Sequence, residues 1–245
     1  MAIRRETKRV EGIVIKRSDY KDNDVMVDIL SGEGRLSFLA RGVKKAKSKN
    51  SSSVSLLAKS DFSLFVGPNG GLSLQEGKII DAVDSGDNLE KAASLSVIAE
   101  LSKKMTSEED TAGETYAFLS KTLEAIKGGY DPLSAALLYF AHLLKKNGYG
   151  LNVGECVRCG GKRKIQGLSY KDGGFVCEDD LVSESEKRDA YTLKVIRYSF
   201  LVPLEKVGSV SFEKKICIRL LREWANNVEE WLGIKITSMQ LLSIF

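Results

Sequence analysis

The spacing of apolar residues changes once along this chain, near residue 84, and that change divides the fold. Before it, β-branched and alternating runs dominate. They are "VEGIVIKRSDY" from Val10, "NDVMVDILSGEGRLSFLARGV" from Asn23 and "SVSLLAKSDFSLFVGPNGGLSLQEGKIIDAV" from Ser53. Glycine-containing turns separate them, which is a hairpin signal. About five short strands without long helical patterns predict a small closed barrel or sandwich. The tract "KKAKSKNSSS" from Lys44 interrupts the pattern. It is too polar to pack and reads as a mobile surface loop.

After residue 84 apolar residues recur at spacings of three and four, in "NLEKAASLSVIAELSKKM", "AGETYAFLSKTLEAI" and "DPLSAALLYFAHLLKKNGYG", which predicts helices. Asp131 is placed as an N-cap, Pro132 at the first helical position and Gly148 as the C-terminal stop. Helical spacing resumes in "YTLKVIRYSFL" and "SFEKKICIRLLREWANNVEEWLGI", and "SMQLLSIF" closes the chain. The fold class is therefore α+β multidomain. The expected units are a β-barrel over 1–82 and a helical domain over 83–245, with a cysteine knuckle inserted at 154–182.

That insertion, "CVRCGGKRKIQGLSYKDGGFVCEDD", has zinc-ribbon spacing with one thiol missing. Two cysteines two residues apart sit on one tight turn, and a second such turn supplies the other edge of a tetrahedron. Cys156 and Cys159 make the first turn, Cys177 begins the second, and Asp180 stands where a fourth cysteine would. A carboxylate can ligate zinc, so Cys156, Cys159, Cys177 and Asp180 are a workable zinc set. Glu178 and Asp179 compete at poorer spacing, and the alternative is a knuckle without metal, held by packing. A catalytic zinc is disfavoured because the loop carries no histidine that could act as a base. The sole histidine, His142, reads as a partly buried helix residue, Cys217 as a small core residue, and Leu241, Leu242, Ile244 and Phe245 as packing on the helical core.

The N-terminus has basic residues but no apolar run after them, so export is not expected, and reduced thiols suit a cytoplasmic protein. No apolar run approaches the length of a membrane span. Net charge is only +4, so what matters is where positive charge gathers. Arg41, Lys44, Lys45, Lys47 and Lys49 share one segment, Arg4, Arg5, Lys8 and Arg9 another, and Arg35 lies in a strand-like run between them. Neutralising phosphates is the simplest use of such clusters. Small barrels bind single strands through basic grooves with aromatic stacking partners. Phe38, Phe62 and Phe65 lie in strand patterns, facing either the groove or the core.

The order of these stretches resembles the bacterial RecO family. "GIVIKRSDYKDNDVMVDILSGEGRLSFLARGVKKAKS" is similar to the family's first strands and basic loop, and "LLYFAHLLKKNGYGLNVGECVRCG" to its helix leading into a CxxC. "GGFVC" resembles its second half-knuckle and "ITSMQLLSIF" its closing segment, so the resemblance spans essentially the whole chain. It implies an OB-fold, a helical domain and an inserted zinc finger. It also implies binding of single- and double-stranded DNA, strand annealing and partnership with RecR. The implied role is to help the recombinase RecA replace single-stranded-DNA-binding protein in the RecF pathway. The departure is Asp180, where zinc-bearing members have cysteine.

The expectation is a non-enzymatic DNA repair factor, cytoplasmic and nucleoid-associated, with no small-molecule substrate. A pure protein adaptor is the second reading. A metal-dependent hydrolase is the third, and it lacks an HExxH, a Ser–His–Asp set and a phosphate-cradling glycine loop.

Overall fold

A computed structural model describes residues 6–106, 113–183 and 186–245. Five strands, β1 (Thr7–Lys21), β2 (Asp24–Ser31), β3 (Gly34–Ala40), β4 (Lys59–Val66) and β5 (Leu72–Asp81), close into a barrel in the order β1-β2-β3-β5-β4. Closure comes from β1 pairing with both β2 and β4, and from one parallel bridge, Leu39 to Ser73, between β3 and β5. Alternation does the sorting. Val10, Val14, Val25, Val27, Ile29 and Leu64 point into the barrel around Phe38 and Phe62, whose ring centroids are 5.1 Å apart.

Ile13, Ile15 and Leu30 belong instead to the helical core, so the barrel wall is apolar on both faces where helices cover it. Those helices are α1 (Leu89–Met105), α2 (Glu114–Lys127), α3 (Pro132–Lys146), α4 (Ala190–Leu201) and α5 (Lys214–Leu232). Helix α3 lies at the centre, with Leu133 to Ala141 buried without a break. Its ends follow the sequence closely. The Asp131 carboxylate accepts from the Ser134 N–H at 2.7 Å. At the other end Gly148 takes φ +83°, its N–H bonds the Lys145 carbonyl, and the Tyr149 N–H bonds the Leu144 carbonyl, a Schellman stop.

The tract from Lys44 to Ser53 departs from the mobile loop expected of its composition. Its turns bond internally, and the Asn50 side chain docks on the open edge of β5, accepting from the Gly77 N–H at 3.1 Å and donating to the Gln75 carbonyl. Ser53 is fully buried and donates to the Asn50 carbonyl. An amide side chain here stands in for a neighbouring strand, which polarity alone does not reveal. The expected packing of the C-terminus also needs correction. Of Leu241, Leu242, Ile244 and Phe245, only Leu242 is buried.

Candidate metal centre and nucleic-acid interface

The knuckle is a two-stranded hairpin, β6 (Ile165–Ser169) and β7 (Gly174–Cys177), preceded by the CxxC turn and followed by a short 3-10 turn, Glu178–Asp180. The first turn is closed by the Gly160 N–H on the Cys156 carbonyl and the Cys156 N–H on the Gly161 carbonyl, both at 2.8 Å. The second is hooked to the start of the hairpin by the Glu178 N–H on the Lys164 carbonyl at 2.9 Å. Cross-packing needs a glycine at 174, because a Cβ there would lie 2.4 Å from the Asn152 carbonyl oxygen.

These turns bring the ligand atoms of Cys156, Cys159, Cys177 and Asp180 within 4.8 Å of one another. The Cys159 and Cys177 sulfurs are 3.7 Å apart. Two thiolates on one tetrahedral zinc at ~2.3 Å would be roughly 3.7 Å apart, so this pair fits the ion. Asp180 Oδ2 accepts from the Cys156 and Cys177 thiols at 3.2 and 3.0 Å. Of the competing carboxylates, Glu178 and Asp179 are exposed, and Asp179 faces Lys164 at 3.9 Å. The Asp180 carboxylate pushes the Cys159 thiol up to about 12. Hydrogen bonds from the thiols, Cys159 foremost, hold Asp180 below the usual carboxylate range. Four potential anions in one small volume favour a cation among them.

Sequence reading passed over Arg158, inside the CxxC. Its guanidinium binds Asp172 at 2.5 and 2.9 Å, Glu186 at 2.7 and 3.0 Å, and the Asp180 carbonyl at 2.5 Å. One side chain thus ties the first half-knuckle, the hairpin turn, the second half-knuckle and the exit segment. Tyr170 then anchors the hairpin to the helices by donating to Glu223 at 2.8 Å and meeting Trp231, which stacks on Tyr149. His142 lies apart, stacked on Phe118, and Cys217 is buried against Ser134.

Both halves of the chain match known families. The model described as "Recombination protein O N terminal" matches residues 4–83, and "Recombination protein O C terminal" matches residues 86–239. The chain belongs to the RecO family. The DNA repair protein RecO of Bacillus cereus (strain B4264) is 29% identical over 244 residues, covering 96% of each chain. That of Bacillus anthracis (strain CDC 684 / NRRL 3495) is 28% identical over the same span. A solved asparaginyl-tRNA synthetase from Pyrococcus horikoshii overlays 51% of this chain, which spans only 33% of that chain, at a TM-score of 0.28 and 12% identity. That likeness carries no argument. The RecO relatives are DNA repair proteins by name, and no helix among the described residues is long and apolar enough to cross a membrane.

In this RecO-family chain the basic residues separate into groups. Arg41, Lys45, Lys47 and Lys49 are exposed, with no acidic partner among the described residues. Arg9 is exposed on β1. Lys44 faces Asp19 and Lys8 faces Glu33, each at 3.0 Å. Arg4 and Arg5 lie outside the described residues. Arg35, also expected to contact DNA, is engaged within the protein. Its guanidinium binds Asp28 at 2.6 Å and the Lys103 and Thr106 carbonyls at the end of α1. Burial works against ionised Asp28, yet bonds from Arg35 and Ser37 hold its carboxyl below the usual range. For the aromatic residues the choice between groove and core is decided at two positions. Phe38 and Phe62 are core, and Phe65 is half-buried on β4.

Proposed function

We propose that this chain is a non-catalytic factor of recombinational DNA repair that binds single- and double-stranded DNA through the basic segment at the end of its barrel. It acts in the bacterial cytoplasm, at the nucleoid. Neutralising two backbones at once brings complementary strands together and promotes annealing. RecR, and strands coated with single-stranded-DNA-binding protein, are the partners this role calls for. The observation that carries the reading is the set Arg41, Lys45, Lys47 and Lys49, four cations left open on a segment fastened to β5 by Asn50.

Cys156, Cys159, Cys177 and Asp180 would hold a structural zinc, which would fix the fold of the knuckle. Arg158 holds the two half-knuckles around those donors.

The test is DNA affinity against salt for the parent and for Lys45→Glu with Lys47→Glu. The parent's affinity falls steeply with salt, and the double variant binds more weakly with a shallower slope. Unchanged low-salt affinity in the variant defeats the reading and favours a protein adaptor that works through its exposed C-terminal residues Leu241, Ile244 and Phe245.

A further inference from the structure

Phe38 and Phe62 are in the barrel core and Phe65 is half-buried, yet one exposed aromatic precedes the turn that meets the basic segment. Tyr20 is 55% exposed. Asp19 pairs with Val25 and Lys21 with Asp24 across the β1–β2 ladder, so Tyr20 is the extra residue of a β-bulge. Bulges re-aim a side chain out of the ladder and are over-represented next to functional sites. The turn that follows, Asp22–Asn23, is fastened to the start of the basic segment. Gly42 N–H donates to Asp24 Oδ1 at 2.8 Å and Lys44 N–H to the Asn23 carbonyl at 3.1 Å. Between the two turns lies a basin of about 470 Å³ lined by Lys21, Asp24, Arg41 and Lys45 among others. The Lys21 ammonium sits 5.6 Å from the centre of the Tyr20 ring. Lys21, which lines the basin with Arg41 and Lys45, therefore links the Tyr20 ring to its rim.

Acidic groups share this rim. Asp19 is engaged by Lys44 and Asp24 by Gly42, which leaves Asp22 as the exposed carboxylate without a cationic partner among the described residues. Lys21, Arg41 and Lys45 have no acidic partner among the described residues. A ligand suited to this rim has a flat apolar face and an adjacent run of negative charge.

We propose that Tyr20 is the stacking platform of a single-stranded nucleic-acid subsite, in which Lys21, Arg41 and Lys45 hold the sugar-phosphate backbone beside the stacked base. A duplex keeps its bases stacked on one another, so Tyr20 selects for single strands. The proposal rests on the DNA-binding reading above and narrows it to one end of the barrel.

The experiment measures the binding of the full chain to a fluorescein-labelled thymidine oligonucleotide, its abasic counterpart and a duplex, across salt. Tyr20→Ala should weaken thymidine-strand binding by about 5- to 150-fold, the range of one lost base–aromatic stack. It should leave duplex and abasic binding unchanged and the salt slope intact, because no charge is removed. Tyr20→Trp should retain affinity. Asp22→Asn should tighten binding to all three probes. Equal losses on thymidine, abasic and duplex probes overturn the stacking role. So does unchanged thymidine binding in Tyr20→Ala while Lys45→Glu with Lys47→Glu still weakens it, an outcome that leaves DNA binding by the basic segment intact. A parent chain that binds none of the probes overturns both readings.

Discussion

Arg158 and Glu186 form a two-point contact, Nη1 donating to Oε2 at 3.0 Å and Nη2 to Oε1 at 2.7 Å. The pair joins the CxxC turn to the chain leaving the knuckle, and the same guanidinium reaches the Asp180 carbonyl. Planar, forked hydrogen bonding of this kind is specific to arginine.

Arg158→Lys should therefore behave like Arg158→Ala in the knuckle. A point charge on a flexible stem cannot span Asp172, Glu186 and the Asp180 carbonyl together. Removing an outer partner of a metal ligand typically costs about 10- to 100-fold in metal affinity, and that loss is expected of both variants. Competition with a chromogenic zinc chelator measures it. A lysine variant with parental zinc affinity shows that net charge, not the fork, is what the site uses.

Zinc content is the direct reading of the Cys156–Cys159–Cys177–Asp180 set. Protein purified without added metal or chelator should carry about one zinc per chain, as a closed four-ligand site does. Asp180→Ala should lose it and Asp180→Cys keep it. Binding displaces the thiol protons. Because the Cys159 thiol is pushed up to about 12, protons compete strongly, and zinc affinity should rise with pH through the neutral range. Stripping zinc should also alter Trp231 emission, since Tyr170 of the hairpin rests against that ring. Zinc retained in Asp180→Ala moves the fourth ligand to Asp179, Glu178 or water.

Arg35 tests the line between structural and DNA-contacting cations. It closes the junction between barrel and helices, and Asp28 beside it is buried. Arg35→Ala strands that carboxylate, leaving Ser37 at 2.8 Å and Lys16 at 3.7 Å as partial compensation. Breaking a buried pair in this way costs about 3 kcal/mol. The variant should melt lower yet bind DNA at low salt like the parent. A fall in affinity at unchanged Tm would return Arg35 to the DNA interface.

The legible parts of this chain were those governed by short-range rules. Strand alternation gave five strands, and Asp131, Pro132 and Gly148 bounded α3, because a cap is a contact between residues three to five apart. The cysteine turns were legible for the same reason. Long-range partnerships were not. Arg35 looks like any other strand arginine until Asp28 and the end of α1 are brought to it, and Arg158 carries no mark until Asp172 and Glu186 fold back. Asn50 sits in a tract whose composition argues for mobility, and only the open edge of β5 explains its place. Tyr20 was passed over because a bulge breaks the very alternation by which strands are read.

Acid should loosen the hold on the C-terminus. The Glu100 carboxylate on α1 accepts from the Thr237 N–H at 3.0 Å, the Thr237 hydroxyl at 2.8 Å and the Ser238 N–H at 2.6 Å, capping the final 3-10 segment, Thr237–Ile244. Burial works against the charge, but Lys104 and the Ser238 and Thr237 donors lower its pKa to about 2 from an ordinary 4.5. A carboxyl depressed on folding contributes stability that is fully present above its unfolded value and is lost as pH falls through its folded value. The window is therefore about pH 4.5 down to about 2, and the contribution, discounted for solvent screening, is about 2 kcal/mol. Glu100→Gln should remove this pH dependence, and amide exchange should rise at 237–244 in the variant at neutral pH. Exchange there that matches the parent would mean that Met239 and Leu242, both buried, hold the segment without the carboxylate.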